Sequence, residues 1–278
     1  MSLMRRLLRR LPAPAYARLR AFAEGSLHYF FYPAVRGKIP PSQFKVLVLG
    51  VYRFKNAAIL APHIEDAKRH KWKTRLWGLD AVHPSLQACS AGTGKGSKFS
   101  LLNRLIQGED LSAFDWVVVM DDDVRFKRGS MAQFLAIAEA AGMALAQPAH
   151  TMGSFVSHGI TLCQPLAVAR LTTFVEVGPI FAVNRAWVSK LMPFPEDYEM
   201  GWGLDVEWSD LRAHGARLGV VDWVTLRHLQ PVAKGYDDAP ECERLKRSLR
   251  ARDVQSIADI HKAVAVWRPW QSRCPWMG

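Results

Sequence analysis

The chain has 278 residues, 49% of them hydrophobic and 22% charged, enough to fill one large core or two small ones. Such a balance excludes intrinsic disorder, collagen-like repetition and a disulfide-stapled miniprotein. Its 37 Lys and Arg outweigh 25 Asp and Glu, but the excess sits at the two ends, and a near-neutral body makes nucleic acid an unexpected partner.

Residues 1–42 read as a basic leader, with eight basic groups and one acid in the first forty positions. Arginine and leucine pairs alternate through Met4-Arg5-Arg6-Leu7-Leu8-Arg9-Arg10-Leu11, and an aromatic cluster follows at His28 to Tyr32. No stretch reaches the roughly 18 apolar residues that a spanning helix needs. The pattern fits a helix lying on an anionic membrane surface, on its cytoplasmic face. It also fits an Arg-rich, acid-poor mitochondrial-type presequence, and it lacks the continuous apolar centre of a secretory signal.

From residue 43 strand and helix signals alternate. Phe44 to Gly50 is short, apolar and β-branched, as a strand buried on both faces should be. A helix is expected from Ala57 to His70 and a weaker strand from Thr74 to Leu79. Ser97 is placed to cap a helix whose Phe99, Leu102, Leu105 and Ile106 share a face and which Gly108 ends. Trp116 to Met120 is the strongest strand, and it runs straight into Asp121-Asp122-Asp123. Ser130 and Gln133 open a helix through Gly142, and Met143 to Gln147 is another strand. Beyond residue 148 the pattern loosens, with a strand from Phe174 to Val183, a helix from Leu204 to His214 and a strand from Leu218 to Leu226. A basic amphipathic helix is expected from Pro240 to about Val266. The economical reading is one α/β domain over 43–238 with a basic helix and Trp-rich tail over 239–278.

In parallel α/β sheets ligands gather at the carboxyl ends of strands, where the aspartates lie. Three adjacent carboxylates repel one another unless a cation or water screens them. Hard oxygen donors suit Mn²⁺ or Mg²⁺. An aspartyl-nucleophile phosphatase does not fit, because Arg125 stands where such a motif needs Thr or Val. The Gly-rich run Ala91 to Ser97 lacks phosphate-loop spacing, though Lys95 or Lys98 could still meet a phosphate, and so could Arg125, Lys127 and Arg128. The segment Gly201-Trp202-Gly203-Leu204-Asp205-Val206-Glu207 joins an indole that can stack on a sugar to two acids at a helix start. The dipole there favours ionised carboxylates, as a base acting on an acceptor hydroxyl requires. His228 ends a late strand and matters as a metal ligand only if the chain returns to Asp123. The four cysteines lie far apart with no CxxC pair, which argues against a cysteine-built zinc site and for a reducing compartment, taken as cytoplasmic.

Together these pieces resemble a glycosyltransferase of the GT-A fold. The resemblance covers residues 44–232 and rests on the Lys45–Gly50 strand, Lys98-x4-Asn103, Val117–Met120 followed by the DxD motif Asp121-Asp122-Asp123, Gly201 to Asp205, and His228. It is strongest to a plant and bacterial family with the same Gly-Trp-Gly-Leu-Asp segment. The resemblance implies a Rossmann-like, mainly parallel sheet flanked by helices. It implies transfer from a nucleotide-diphosphate sugar to a glycan or lipid-linked glycan, as in polysaccharide biosynthesis, with inversion. By that resemblance Asp121, Asp123 and His228 hold Mn²⁺ or Mg²⁺. Asp121, Asp122, Lys98, Asn103 and Trp202 meet the donor, Asp205 is the general base, and Glu207 is its alternate. One departure is that many relatives carry an adjacent Glu-Asp, whereas Val206 separates Asp205 from Glu207 here. Glu176 and the Phe174–Phe181 strand are expected to line the acceptor cleft. A nucleotidyltransferase or phosphohydrolase using the same acidic site, and a non-catalytic membrane-associated scaffold, are the alternatives.

Overall fold

The computed structural model describes residues 22, 26, 28–35, 37, 43–231 and 238–277, so the Arg/Leu run of residues 4–11 lies outside the described residues. The core begins with β1 (Val46–Tyr52), buried at every position except the half-buried Val51. It is flanked in parallel by β2 (Lys73–Gly78) and β4 (Trp116–Asp121), and β3 (Ser90–Thr93) adds to β2 in parallel. Alternate β1 residues serve opposite faces. Val46 and Val48 pack in one cluster with Leu60 and Ile64 of helix α1 (Ala57–Arg69), while Leu47 and Leu49 pack in another with Phe99, Leu102 and Leu105 of α2 (Lys98–Ile106). Period-two alternation with helices on both faces is why the strand is apolar throughout.

Beyond β4 the sheet becomes mixed. β5 (Val124–Arg128) and helix α3 (Met131–Ala140) follow, and the Ser130 hydroxyl caps α3 by accepting from the Gln133 N–H at 3.3 Å. The remaining strands are β6 (Leu145–His150), β7 (Ala169–Thr172), β8 (Ile180–Asn184) and β9 (Leu218–His228). Helices α4 (Arg185–Leu191) and α5 (Leu204–Trp208) lie between β8 and β9, and α6 (Ala239–Arg250) and β10 (Ala263–Trp267) complete the chain. The order across the sheet is β10-β7-β9-β6-β8-β4-β1-β2-β3, with β5 paired to β9 off this path. The parallel block β3-β2-β1-β4 with helices on either side is the expected α/β architecture. A bidentate pair, Arg170 Nε and Nη2 on the Asp222 carboxylate at 2.8 and 2.9 Å, ties β7 to β9 inside the protein.

Three expected elements differ. The strand from Phe174 to Val183 is confined to Ile180–Asn184, and residues 174–179 are irregular. The helix from Leu204 is α-helical for five residues and then tightens to a 3₁₀ turn at Ser209–His214. The helix expected from Pro240 to about Val266 stops at Arg250; Asp253 takes φ 52°, and the chain returns as β10 against β7. Ala263 to Trp267 is rich in β-branched residues and meets an edge strand whose free peptide groups it satisfies, which outweighs local helical pattern. Helical residues 28–35 pack on the body through the fully buried Val35 and a 4.0 Å ring contact of His28 with Trp223. Among the described residues no helix is long and apolar enough to cross a membrane, and the four cysteines are free.

Candidate active site

The parallel pairing of β1 and β4 runs in register from Val46↔Trp116 to Val51↔Asp121, so the acidic turn emerges at the carboxyl edge of the parallel block. Asp122 folds back: its Oδ2 accepts from the Arg53 N–H at 2.6 Å, and burial lifts its carboxyl above the usual range. That contact fixes the turn, in which Asp121 is half-buried and Asp123 buried. Asp121 Oδ1 lies 2.6 Å from Lys98 Nζ at the start of α2.

The distant imidazole arrives through β5. This short strand leaves the acidic turn and pairs antiparallel with the end of β9, Val124 opposite His228, and the Leu229 N–H donates to the Asp123 carbonyl at 2.9 Å. His228 Nε2 thereby stands 3.2 Å from Asp123 Oδ1. One donor atom each from Asp121, Asp123 and His228 lies within 4.8 Å of the others. Burial works against a charged imidazole here, yet the hydrogen bond and charge of Asp123 prevail and His228 is held above its usual range. Two carboxylates and one imidazole make a donor set suited to Mn²⁺ or Mg²⁺, and the spacing lets all three reach one ion, so these residues fit the expected metal.

The triad opens into a cleft of about 580 Å³, within the range of small-molecule sites. Met200, Trp202 and Gly203 of the glycine loop and Asp205 of α5 also line it. Gly201 (φ 96°) and Gly203 (φ 94°) are left-handed, and a Cβ would strike the Phe99 ring at 2.3 Å from the first and Ser248 Oγ at 2.9 Å from the second. Only glycine permits this approach to α2 and α6. Trp202 and Asp205 both line the cleft. Asp205 is 4% exposed, and its side chain accepts from the Val206 N–H at 3.0 Å. Burial, with Glu176 adding a like charge, pushes its carboxyl up to about 8. The expected ionised state at a helix start is therefore corrected: one five-residue helix cannot offset the loss of water, and Asp205 is a neutral acid at pH 7 in the free protein.

Two other expectations need correction. Glu207 lies on the opposite side of α5, since residues two apart on a helix do not share a face. It accepts from the Tyr198 hydroxyl and from Ser248 Oγ at 3.4 Å, away from the cleft. Asn103 is likewise outside: its side-chain amide donates to the Phe194 carbonyl at 2.8 Å and accepts from the Phe194 N–H at 2.8 Å, securing α2 to the segment after α4. Lys98, Asp122, Trp202 and Glu176 do line the cleft. Of the Gly-rich run, Gly96 lines it and Lys95 does not. Arg128 is bound to the Trp223 and Asp222 carbonyls at 3.0 and 2.7 Å, while Arg125 and Lys127 are exposed on β5.

The sequence pattern gave no sign of Glu241. It is 1% exposed on α6 and receives the Met200 and Trp202 N–H groups on its two oxygens, at 3.3 and 3.2 Å, with Arg244 Nη2 at 3.2 Å. Thus α6 clamps the glycine loop, and its Leu245 faces the cleft. A basic amphipathic helix reads the same from sequence whether it covers a cleft or a lipid surface.

No protein-family model matches this chain, and no curated protein does. Solved structures do resemble it. GalNAc-T7, solved with UDP, GalNAc and Mn²⁺, aligns over 74% of this chain at a TM-score of 0.55 and 10% identity; the chain spans 48% of that protein's length. The mannosyltransferase PcManGT from Pyrobaculum calidifontis, in complex with GDP-Man and Mn²⁺, aligns over 85% of this chain and 74% of its own at a TM-score of 0.50 and 16% identity. At such identities the likeness is one of fold, and the fold is GT-A.

Proposed function

We propose that this chain is a metal-dependent glycosyltransferase that takes a nucleotide-diphosphate sugar as donor and a glycan or lipid-linked glycan as acceptor. The observation that carries the reading is the meeting of Asp121, Asp123 and His228 within 4.8 Å, on the same cleft as Trp202 and Asp205. The two GT-A structures above hold UDP or GDP-Man with Mn²⁺, which supports a nucleoside diphosphate over the cation site. Asp121, Asp123 and His228 would hold Mn²⁺ or Mg²⁺, which supplies charge stabilisation for a departing diphosphate.

The chain's own residues do the rest. Lys98 partners Asp121 and limits repulsion among the three aspartates. Trp202 offers an indole face to a sugar ring. Asp205, on the same cleft as the cation site, takes the proton of the acceptor hydroxyl, in a transfer read as inverting. It must first lose its own proton, so turnover rises with pH up to about 8, where its carboxyl ionises. The test is sugar transfer or release from UDP- and GDP-hexoses with Mn²⁺. Wild type should turn over and Asp205→Asn should not, while both bind the nucleotide. Equal turnover by the two proteins would overturn the role of Asp205, and turnover without divalent metal would overturn the metal dependence.

The acceptor is read as membrane-borne, with the protein peripheral on the cytoplasmic face. In support, Tyr29 is 85%, Phe30 75% and Trp270 58% exposed, and Phe31 makes ring contacts of 5.0 Å with Phe30 and 6.1 Å with Trp270. In the sequence, Tyr29 and Phe30 fall within the same forty residues as eight basic groups, a composition suited to anionic headgroups.

A further inference from the structure

β9 runs two residues past its parallel partner: the last β6 pairing is His150 with Leu226, yet the strand continues to His228. On the β5 side this overhang is secured by the Val124 pairing and by the Leu229 N–H on the Asp123 carbonyl. On the β6 side the N–H and carbonyl of His228 lie beyond any strand partner, and a strand end without partners frays. The turn after β6 supplies them instead. Ser154 Oγ accepts from the His228 N–H at 2.8 Å, and the His228 carbonyl accepts from the Phe155 N–H at 3.2 Å. One dipeptide thus holds both main-chain polar groups of the residue whose imidazole completes the cation site.

The Ser154 hydroxyl is itself held. His150, 1% exposed, places Nδ1 2.7 Å from Oγ, much closer than the Phe155 carbonyl at 3.4 Å, and its Nε2 lies 3.6 Å from Glu176 Oε2. With a carboxyl oxygen facing Nε2, the single proton of a neutral imidazole belongs on that nitrogen, so Nδ1 accepts the Ser154 hydroxyl proton. Each bond then has one direction: the His228 N–H gives to Ser154, and Ser154 gives to His150. A hydroxyl that accepts on one side and donates on the other is turned to one angle, and buried bonds in such a chain strengthen one another. Two positions earlier on β9 the same turn uses main chain alone, the Thr151 N–H donating to the Leu226 carbonyl at 2.9 Å. At the metal ligand it uses a side chain anchored on a buried imidazole.

We propose that Ser154, anchored by His150, is a positioning residue for the metal ligand His228: its hydroxyl fixes the main chain from which the imidazole reaches Asp123. The inference rests on the metal-dependent reading of the cleft and adds a residue that sets its cation affinity. Groups that orient a metal ligand are commonly worth on the order of tenfold to a hundredfold in metal affinity, and a contact to the ligand's main chain rather than its ring belongs at the lower end. Equilibrium dialysis of labelled UDP and GDP against the full chain, over a series of Mn²⁺ concentrations, tests it. Ser154→Ala should raise the Mn²⁺ concentration at which nucleotide binding is half-developed by about tenfold, while nucleotide affinity at saturating Mn²⁺ stays within about twofold of wild type. Ser154→Thr, which keeps the hydroxyl, should bring the midpoint back. Ser130→Ala also removes a hydroxyl-to-backbone contact, but at the cap of α3 and outside the cleft, and should leave the midpoint where it is. The inference is overturned if Ser154→Ala keeps the wild-type midpoint, if Ser154→Thr or Ser130→Ala shifts it as far, or if the loss persists at saturating Mn²⁺. Absence of nucleotide binding by wild type, or binding indifferent to Mn²⁺, would instead sink the metal-dependent reading, and the role of Ser154 with it. Should Ser154→Ala fail to fold, Ser154→Cys, whose sulfur is a weaker acceptor, is held to the same comparison.

Discussion

Replacing Asp205 with Asn should change how folding stability depends on pH. Burial and the neighbouring Glu176 raise this carboxyl from its ordinary 3.8 to about 8. In the unfolded chain it ionises near its ordinary value. Between about pH 4 and pH 8 the native state therefore keeps a proton that the unfolded state has released, and stability falls as pH rises through that window. The slope is about 1.4 kcal/mol per pH unit, levelling off above about pH 8. Moving from pH 5 to pH 8 should then cost wild type up to about 4 kcal/mol that Asp205→Asn does not lose. Urea unfolding of both proteins at the two pH values, followed by tryptophan fluorescence, measures this directly. Most other titrating groups are common to the two proteins and cancel in the difference. A gap between wild type and variant that stays the same at pH 5 and pH 8 would refute the claim that Asp205 is a buried neutral acid.

Three further outcomes follow from named contacts. Glu241→Ala strips the Met200 and Trp202 N–H groups and Arg244 of a shared buried partner, and should cost about 2–4 kcal/mol in chemical unfolding; Glu241→Gln, which keeps one acceptor, should cost less. Gly203→Ala forces a Cβ to 2.9 Å from Ser248 Oγ at a φ of 94°, and should cost about 1–3 kcal/mol and weaken binding of a nucleotide sugar. Binding to anionic lipid vesicles should fall when Tyr29→Ser and Phe30→Ser are combined, or when residues 1–21 are removed, and should weaken with salt; unchanged co-sedimentation would remove the membrane from the account.

The parallel block was legible because burial on both faces leaves a continuous apolar signature, plain in Val46 to Tyr52 and Trp116 to Met120. Site residues that close a strand or hold a tight turn could be read the same way: the acidic turn after β4, and the glycines around Trp202. His228 was the harder inference, since its approach to Asp123 depends on a five-residue strand, β5, lying antiparallel on β9 about a hundred positions later. What local pattern could not supply was tertiary. The facing of Asp205 and Glu207 is set by a single helical turn packed between the cleft and α6. The ionisation of Asp205 depends on burial and on Glu176, neither of which is near it in the chain in any readable sense. Asn103 satisfies a family-like spacing and yet serves the backbone of Phe194. The C-terminal strand β10 exists because β7 offers an open edge, a reason visible only once the sheet is assembled.

The central claim is that two aspartates and a histidine grip one cation beneath a nucleoside diphosphate. Calorimetric titration of UDP and GDP into the full chain, with Mn²⁺ and then with the ion chelated, tests it most directly when repeated on Asp123→Ala. The account predicts binding of at least one of the two by wild type with Mn²⁺, and loss of that binding both on chelation and on Asp123→Ala. Binding that survives chelation, or that Asp123→Ala retains in full, would contradict it.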